Sequence, residues 1–161
     1  MNQNRALDLL FGGWHATGIL TGTSGFPFTP QQEVDSSNTG TQGIILPNRI
    51  ANGNLPSGQR SIYQWFDVAA FQDAPNYTFG DSGYNVLIGP GIWNLDLGIR
   101  KVFSVTERQK IELRGEFYNA LNHPNFGQPN SDIDAGPGAA GTITALTTNM
   151  RTIQVALKYR F

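Results

Sequence analysis

Few residues in this chain could do chemistry, and their spacing argues against most of it. His15 and His123 are the only histidines. They fall in different segments with no ligand spacing, and His123 sits in Asn122-His-Pro-Asn125, which reads as turn chemistry. There is no cysteine, which excludes a disulfide framework and any thiolate metal or redox centre. Asp132 and Asp134 lie in a Gly-rich loop and have the right oxygen ligands for Ca²⁺. The rest of an EF-hand is missing, so a solvated turn is expected there. Asp96, Glu112 and Glu116 could serve acid–base hydrolysis, but Arg100 and Arg114 among them point to ion pairing. Gly89-Pro90-Gly91 lacks the Lys and Ser/Thr of a phosphate loop and no helical pattern follows it. No Gly-x-Ser-x-Gly elbow occurs, and the Asn76-Tyr-Thr78 sequon is read as incidental. The expectation is no catalytic residue, no metal site, no cofactor and no enzyme activity.

What the loops do hold is aromatic. Tyr63, Trp65, Phe66, Phe71 and Tyr77 are candidate substrate contacts. Packing of the loop against itself is the competing expectation for the same residues.

The elements that would carry these groups are strands. Charged residues make up only 14% of the chain, against about 25% in ordinary soluble domains. Hydrophobic residues are also sparse, at 39%, and the net charge is −1. Nothing in that balance points to nucleic acid. No apolar run is long enough for a transmembrane helix. Four segments instead alternate with period two. The first spans about 13–23, with Trp14, Ala16, Gly18 and Leu20 on one face. The second spans about 92–103, with Trp93, Leu95, Leu97, Ile99 and Phe103 on one face and Lys101 near its end. In the third, about 109–119, Ile111, Leu113 and Phe117 oppose Lys110, Glu112, Arg114 and Glu116. In the fourth, 151–161, Ile153, Val155, Leu157, Tyr159 and Phe161 oppose Thr152, Gln154, Ala156, Lys158 and Arg160.

Such segments match the roughly 9–11 residues that cross a bilayer as a tilted strand. Trp93 and Phe103 bracket the second, and Tyr159 and Phe161 end the fourth, as aromatic girdles would. The predicted fold is all-β: an antiparallel transmembrane β-barrel segment of about four strands. The apolar faces would meet outer-membrane lipid. The polar faces would line a lumen, with Arg100 opposite Glu112, or Asp96 opposite Arg114 in a neighbouring register. Connection lengths agree. Only Ser104 to Arg108 joins the second and third segments, whereas 24–91 and 120–150 are long and hold all nine prolines. Barrels have short turns on the periplasmic side and long loops outside. If the fourth segment ends in the periplasm, every connection has the length its side requires.

Several stretches also resemble the late barrel of Oar-like TonB-dependent receptors. They are Gly89-Pro-Gly-Ile-Trp-Asn-Leu-Asp-Leu-Gly-Ile-Arg-Lys-Val-Phe103, Glu112-Leu-Arg-Gly-Glu-Phe-Tyr-Asn-Ala-Leu-Asn-His-Pro-Asn-Phe126 and the terminal segment Arg151 to Phe161. Gly13-Trp14, Ser24-Gly-Phe-Pro-Phe-Thr29 and Trp65-Phe-Asp-Val-Ala-Ala-Phe71 fit the same pattern. The resemblance implies a barrel of about 22 strands filled by a plug. A carboxypeptidase-regulatory-like domain often precedes that plug. It implies substrate uptake driven by the TonB system through an N-terminal region missing here. It also implies that Tyr159 and Phe161 form a C-terminal signal for the barrel-assembly machinery. Tyr84 and Ile88 stand where the family often has arginine, so no charge-based loop role carries over.

Met1 to Leu10 has an apolar patch (Ala6, Leu7, Leu9, Leu10) but no basic start or long apolar run. For an exported protein, the expectation is a start further upstream and a truncated chain. The alternative is a secreted β-sandwich that binds carbohydrate through aromatic loops. It would need more strands at even spacing and protected sheet edges.

Overall fold

Period-two alternation commits a segment to a strand whose two faces differ, and among its described residues the computed structural model has eight strands, four of them long. It describes residues 7, 11–40 and 43–161; Ala6, Leu9 and Leu10 of the apolar patch lie outside that set. In chain order the strands are β1 (Trp14–Thr23), β2 (Pro27–Phe28), β3 (Asn48–Arg49), β4 (Phe71–Gln72), β5 (Leu87–Ile88), β6 (Ile92–Ser104), β7 (Lys110–Tyr118) and β8 (Thr152–Arg160). The four long ones fall on the four alternating segments.

Strands β1, β6, β7 and β8 form one sheet in that order. Gly13 lies against Val102 and Gly18 against Asp96, so β1 and β6 run antiparallel. The β6–β7 and β7–β8 pairs are antiparallel as well. The result is a meander. The β1–β6 and β7–β8 connections leave from one end, and the β6–β7 turn closes the other. That turn is held by Val105 and Thr106 N–H groups donating to Gln109 O, and by Gln109 N–H donating to Thr106 Oγ1.

The turn sets a register that differs from the expected one. Arg100 stands opposite Arg114, and Glu112 opposite Val102 on one side and Lys158 on the other. A two-residue slip keeps every side chain on its face, so face alternation cannot select between such registers; turn geometry does.

Two left-handed asparagines shape the exit from β7. Asn119 and Asn122 have φ of 50° and 53°, a region that Asn tolerates better than most residues. Asn119 Oδ1 accepts from His123 N–H, and its Nδ2 donates to the carbonyls of His123 and Asn149. Asn122 Oδ1 accepts from Arg151 N–H. This corner ties the start of β8 to the end of β7.

The two long connections are not irregular loops. Residues 23–92 and 125–148 form a compact unit of their own. Strands β2 and β5 pair within it, as do β3 and β4. The one-turn 3₁₀ segments Ser57–Gln59 and Val68–Ala70 punctuate it. Its core is Phe66, Ala70, Phe71 and Leu87, with Phe28, Val68, Val86 and Ile133 packed against it. Phe66 meets Phe28 and Phe71 edge to face, with ring centroids 5.7 and 6.0 Å away, a favoured geometry for aromatic pairs. Ile143 N–H donates to Ile62 O, Trp65 N–H to Gly141 O and Gln31 N–H to Ser131 O. The later connection is thereby woven into the earlier one. Gly80 lies so close to the Leu46 carbonyl that a Cβ would collide with it. The described residues hold no second sheet of more than two strands, as a β-sandwich would require.

Candidate functional site

The four-stranded sheet has two chemically distinct faces, fixed by register. Leu97, Ile99 and Phe103 of β6 pair with Phe117, Gly115 and Ile111 of β7; these in turn pair with Ile153, Val155 and Tyr159 of β8. Leu113 pairs with Leu157. Trp93 and Leu95 share the face by alternation along β6. Every residue expected to face lipid therefore lies on one surface. That surface is open: Val155 and Leu157 are 73% and 72% exposed, and Phe161 95%. So large an apolar face is a liability in water and ordinary in hydrocarbon. The Tyr159 and Phe161 rings lie 6.0 Å apart at its end. Trp93 stacks on His123 at 4.2 Å, so that histidine serves ring packing and the turn.

Lys101 is the one charged residue in this stripe, paired with Leu113. It is only 2% exposed, because its ammonium lies over the rings of Trp14 and Phe103, at 4.8 and 5.1 Å. Each such contact contributes about 0.5–2 kcal/mol, more where water is excluded. That is how a lysine can sit near the edge of an apolar face.

The opposite face is polar and ionic. Glu112, 7% exposed, accepts from Arg114 Nη2 at 2.9 Å and has Arg160 Nη2 at 3.6 Å. Arg114 Nη1 lies 3.7 Å from Glu116, whose other oxygen accepts from Tyr118 Oη. Asp96 accepts from Asn94 Nδ2 and Asn119 N–H. Every acidic group proposed for hydrolysis is thus held in an ion pair or hydrogen bond. His15, Thr17, Arg100, Arg114 and Glu116 line a hollow of about 580 Å³ on this sheet. The juxtaposition of His15, Arg100 and Arg114 follows from the strand order and register.

In the loop unit the aromatic candidates separate. Phe66 and Phe71 are 1% and 4% exposed and belong to the core, the competing expectation for these residues. Burial of their rings is what allows two long connections to fold together. Trp65 is half-buried, its Nε1 donating to Ile88 O and its ring under Arg60. Tyr63 and Tyr77 are exposed. Tyr77 is held at φ 66°, a strained conformation for a bulky residue; its N–H donates to Ser36 O.

No group of acids and histidines among the described residues has the geometry of a metal site. Asp134 Oδ2 accepts from Glu33 N–H, and Asp132 Oδ1 from Asp134 N–H, so both shape the backbone. Partial burial, the adjacent Asp134 carboxyl hydrogen-bonded to it, and Asp132 raise the Asp73 carboxyl above its ordinary range. A raised acid favours the folded state when protonated. Its stabilisation is complete below the unfolded value and is lost as pH rises through the folded one. Asp73→Asn should therefore remove a pH dependence of loop stability at and just above the ordinary carboxylate range. Proteolysis of the loop unit as a function of pH measures this; identical profiles in wild type and variant would contradict it.

Residues 1–154 match the outer membrane beta barrel domain family. The chain belongs to that family. An outer-membrane location and a membrane-lipid environment follow. No curated protein and no solved structure matches the chain. Among the described residues no helix is long and apolar enough to cross a membrane; barrel proteins cross with strands.

Proposed function

We propose that this barrel segment belongs to a TonB-dependent, Oar-like outer-membrane transporter and supplies late barrel strands and loops for energised uptake. The observation that carries it is the meander, with both long connections at one end and a five-residue turn at the other. In this reading the long connections are extracellular, the turn is periplasmic and the ionic face lines the lumen. Four strands cannot close a lipid-spanning barrel, which takes at least about eight. The remaining strands and the plug belong to the rest of the protein, as does contact with TonB. Tyr159 and Phe161 serve barrel assembly, and the exposed Tyr63 and Tyr77, with Trp65, meet the substrate. The motif resemblance at 89–103, 112–126 and 151–161 supports the transporter class.

In living cells, photo-cross-linking from the periplasmic N-terminal region of the complete protein should capture TonB. Capture should rise when substrate is present. A correctly inserted barrel that never cross-links to TonB would sink the transporter reading while leaving the barrel intact.

A further inference from the structure

We propose that Arg100 and Arg114 form an anion-binding site on the inner wall of the barrel, and that its ligand is a small solute bearing a carboxylate or phosphate group. The inference rests on the reading that this face lines a lumen.

Arg100 and Arg114 are directly opposite each other across β6 and β7. Like charges in that position destabilise a sheet. Arg114 is compensated by Glu112 at 2.9 Å and Glu116 at 3.7 Å. Arg100 is not. It lies near enough to Glu112 for their charges to interact, yet among the described residues its guanidinium has no ion pair and no hydrogen bond. At this point of the wall, Arg100 is thus a guanidinium held only by its longer-range attraction to Glu112.

That charge opens onto the hollow of about 580 Å³, a size typical of small-molecule sites. Its polar lining comes from three strands: His15 and Thr17 of β1, Arg100 of β6 and Arg114 of β7; Thr17 Oγ1 already donates to Gly98 O, at 3.4 Å. Gly98 keeps the space clear, since a Cβ there would come within 2.7 Å of Thr17 Oγ1. Two guanidinium forks beside a hydroxyl match the planar, multidentate acceptors of carboxylate and phosphate. The site is also weak by construction, because Glu112 and Glu116 already share Arg114. Weak binding suits a solute in transit, which must leave as readily as it enters. A permanently seated polypeptide carboxylate would instead be expected to sit in a fully neutralised setting.

The test uses the complete protein in detergent micelles at low ionic strength, titrated by calorimetry with citrate and with inorganic phosphate. One saturable site is expected. Arg100→Gln should weaken it by about ten-fold or more, as for loss of one charge-assisted partner. Glu116→Gln should tighten it, because Arg114 is then released to the ligand. Lys158→Gln, on the same face, should have a smaller effect than Arg100→Gln. Heat-modifiable gel mobility reports barrel formation separately, so a wild-type protein that never forms a barrel counts against the lumen reading itself. A folded wild type that binds neither anion overturns the proposal. So does equal weakening by Arg100→Gln and Lys158→Gln, which would mean a diffuse field. Capture of the protein's own plug by a cross-linker at residue 100, without anion binding, would also overturn it and assign Arg100 to a polypeptide carboxylate. If Arg100→Gln fails to form a barrel, an unchanged affinity in Glu116→Gln decides against the site.

Discussion

Val155→Arg should destabilise the inserted barrel by about 2–4 kcal/mol, whereas Ala156→Arg, one residue on, should cost far less. The two side chains leave the same strand on opposite faces. Val155 pairs with Gly115 in the apolar stripe, and Ala156 with Arg114 on the ionic face. Val155 also lies near the middle of β8 (Thr152–Arg160); if the apolar face meets lipid, as proposed, its side chain is near the bilayer midplane, too far from either interface for a guanidinium to reach the headgroups easily. At 156, on the proposed lumen wall, water supplies most of the solvation of the new charge; it stands opposite Arg114, a like-charge cost of at most about 1 kcal/mol, eased by the nearby Glu112 and Glu116. Urea unfolding in lipid vesicles measures both variants. Equal destabilisation would mean that the faces are not lipid and lumen, even though the alternation is correct.

That contrast shows what was legible in the sequence. Period-two alternation in 92–103, 109–119 and 151–161 specified strands and faces, and the observed strands end within one or two residues of those bounds. The turn Ser104 to Arg108 was visible because it is short and polar. The cross-strand register was not, because slips by two residues preserve both faces; only the hydrogen bonds around Thr106 and Gln109 select Arg100 opposite Arg114. The charge pairing followed the register and was misread with it. The anion site was invisible for the same reason, since His15 and Arg114 meet only through β6. Lys101 was seen as a charge on an apolar stripe, but its shielding depends on Trp14, 87 positions earlier in the chain. In the loops, composition marked aromatics without distinguishing Phe66 from Tyr63. Burial there arises from contacts between 23–92 and 125–148, which no local pattern encodes.

Phe66→Ala should remove about 3–5 kcal/mol from the loop unit, the usual cost of emptying an aromatic core position. Phe66 is 1% exposed, and its ring meets Phe28 and Phe71 edge to face. A Cβ built on Gly141 would also touch that ring, at 3.4 Å, so the ring fills the space between the earlier and later connections. Its neighbours belong to two paired strands and a left-handed glycine, none of which can move inward without breaking backbone hydrogen bonds. The cavity should therefore persist instead of collapsing. Hydrogen exchange over 23–92 and 125–148 should accelerate by about two to three and a half powers of ten, at roughly 1.4 kcal/mol for each. The contacts named lie within that unit, so exchange in β6, β7 and β8 should change much less. Tyr63→Ala supplies the comparison. Its ring is 77% exposed, and truncation there should stay within about 0.5 kcal/mol. An effect of Tyr63→Ala on uptake, with loop exchange unchanged, would then mark a ligand contact. Comparable exchange in both variants would instead show that the loop unit is not organised around Phe66.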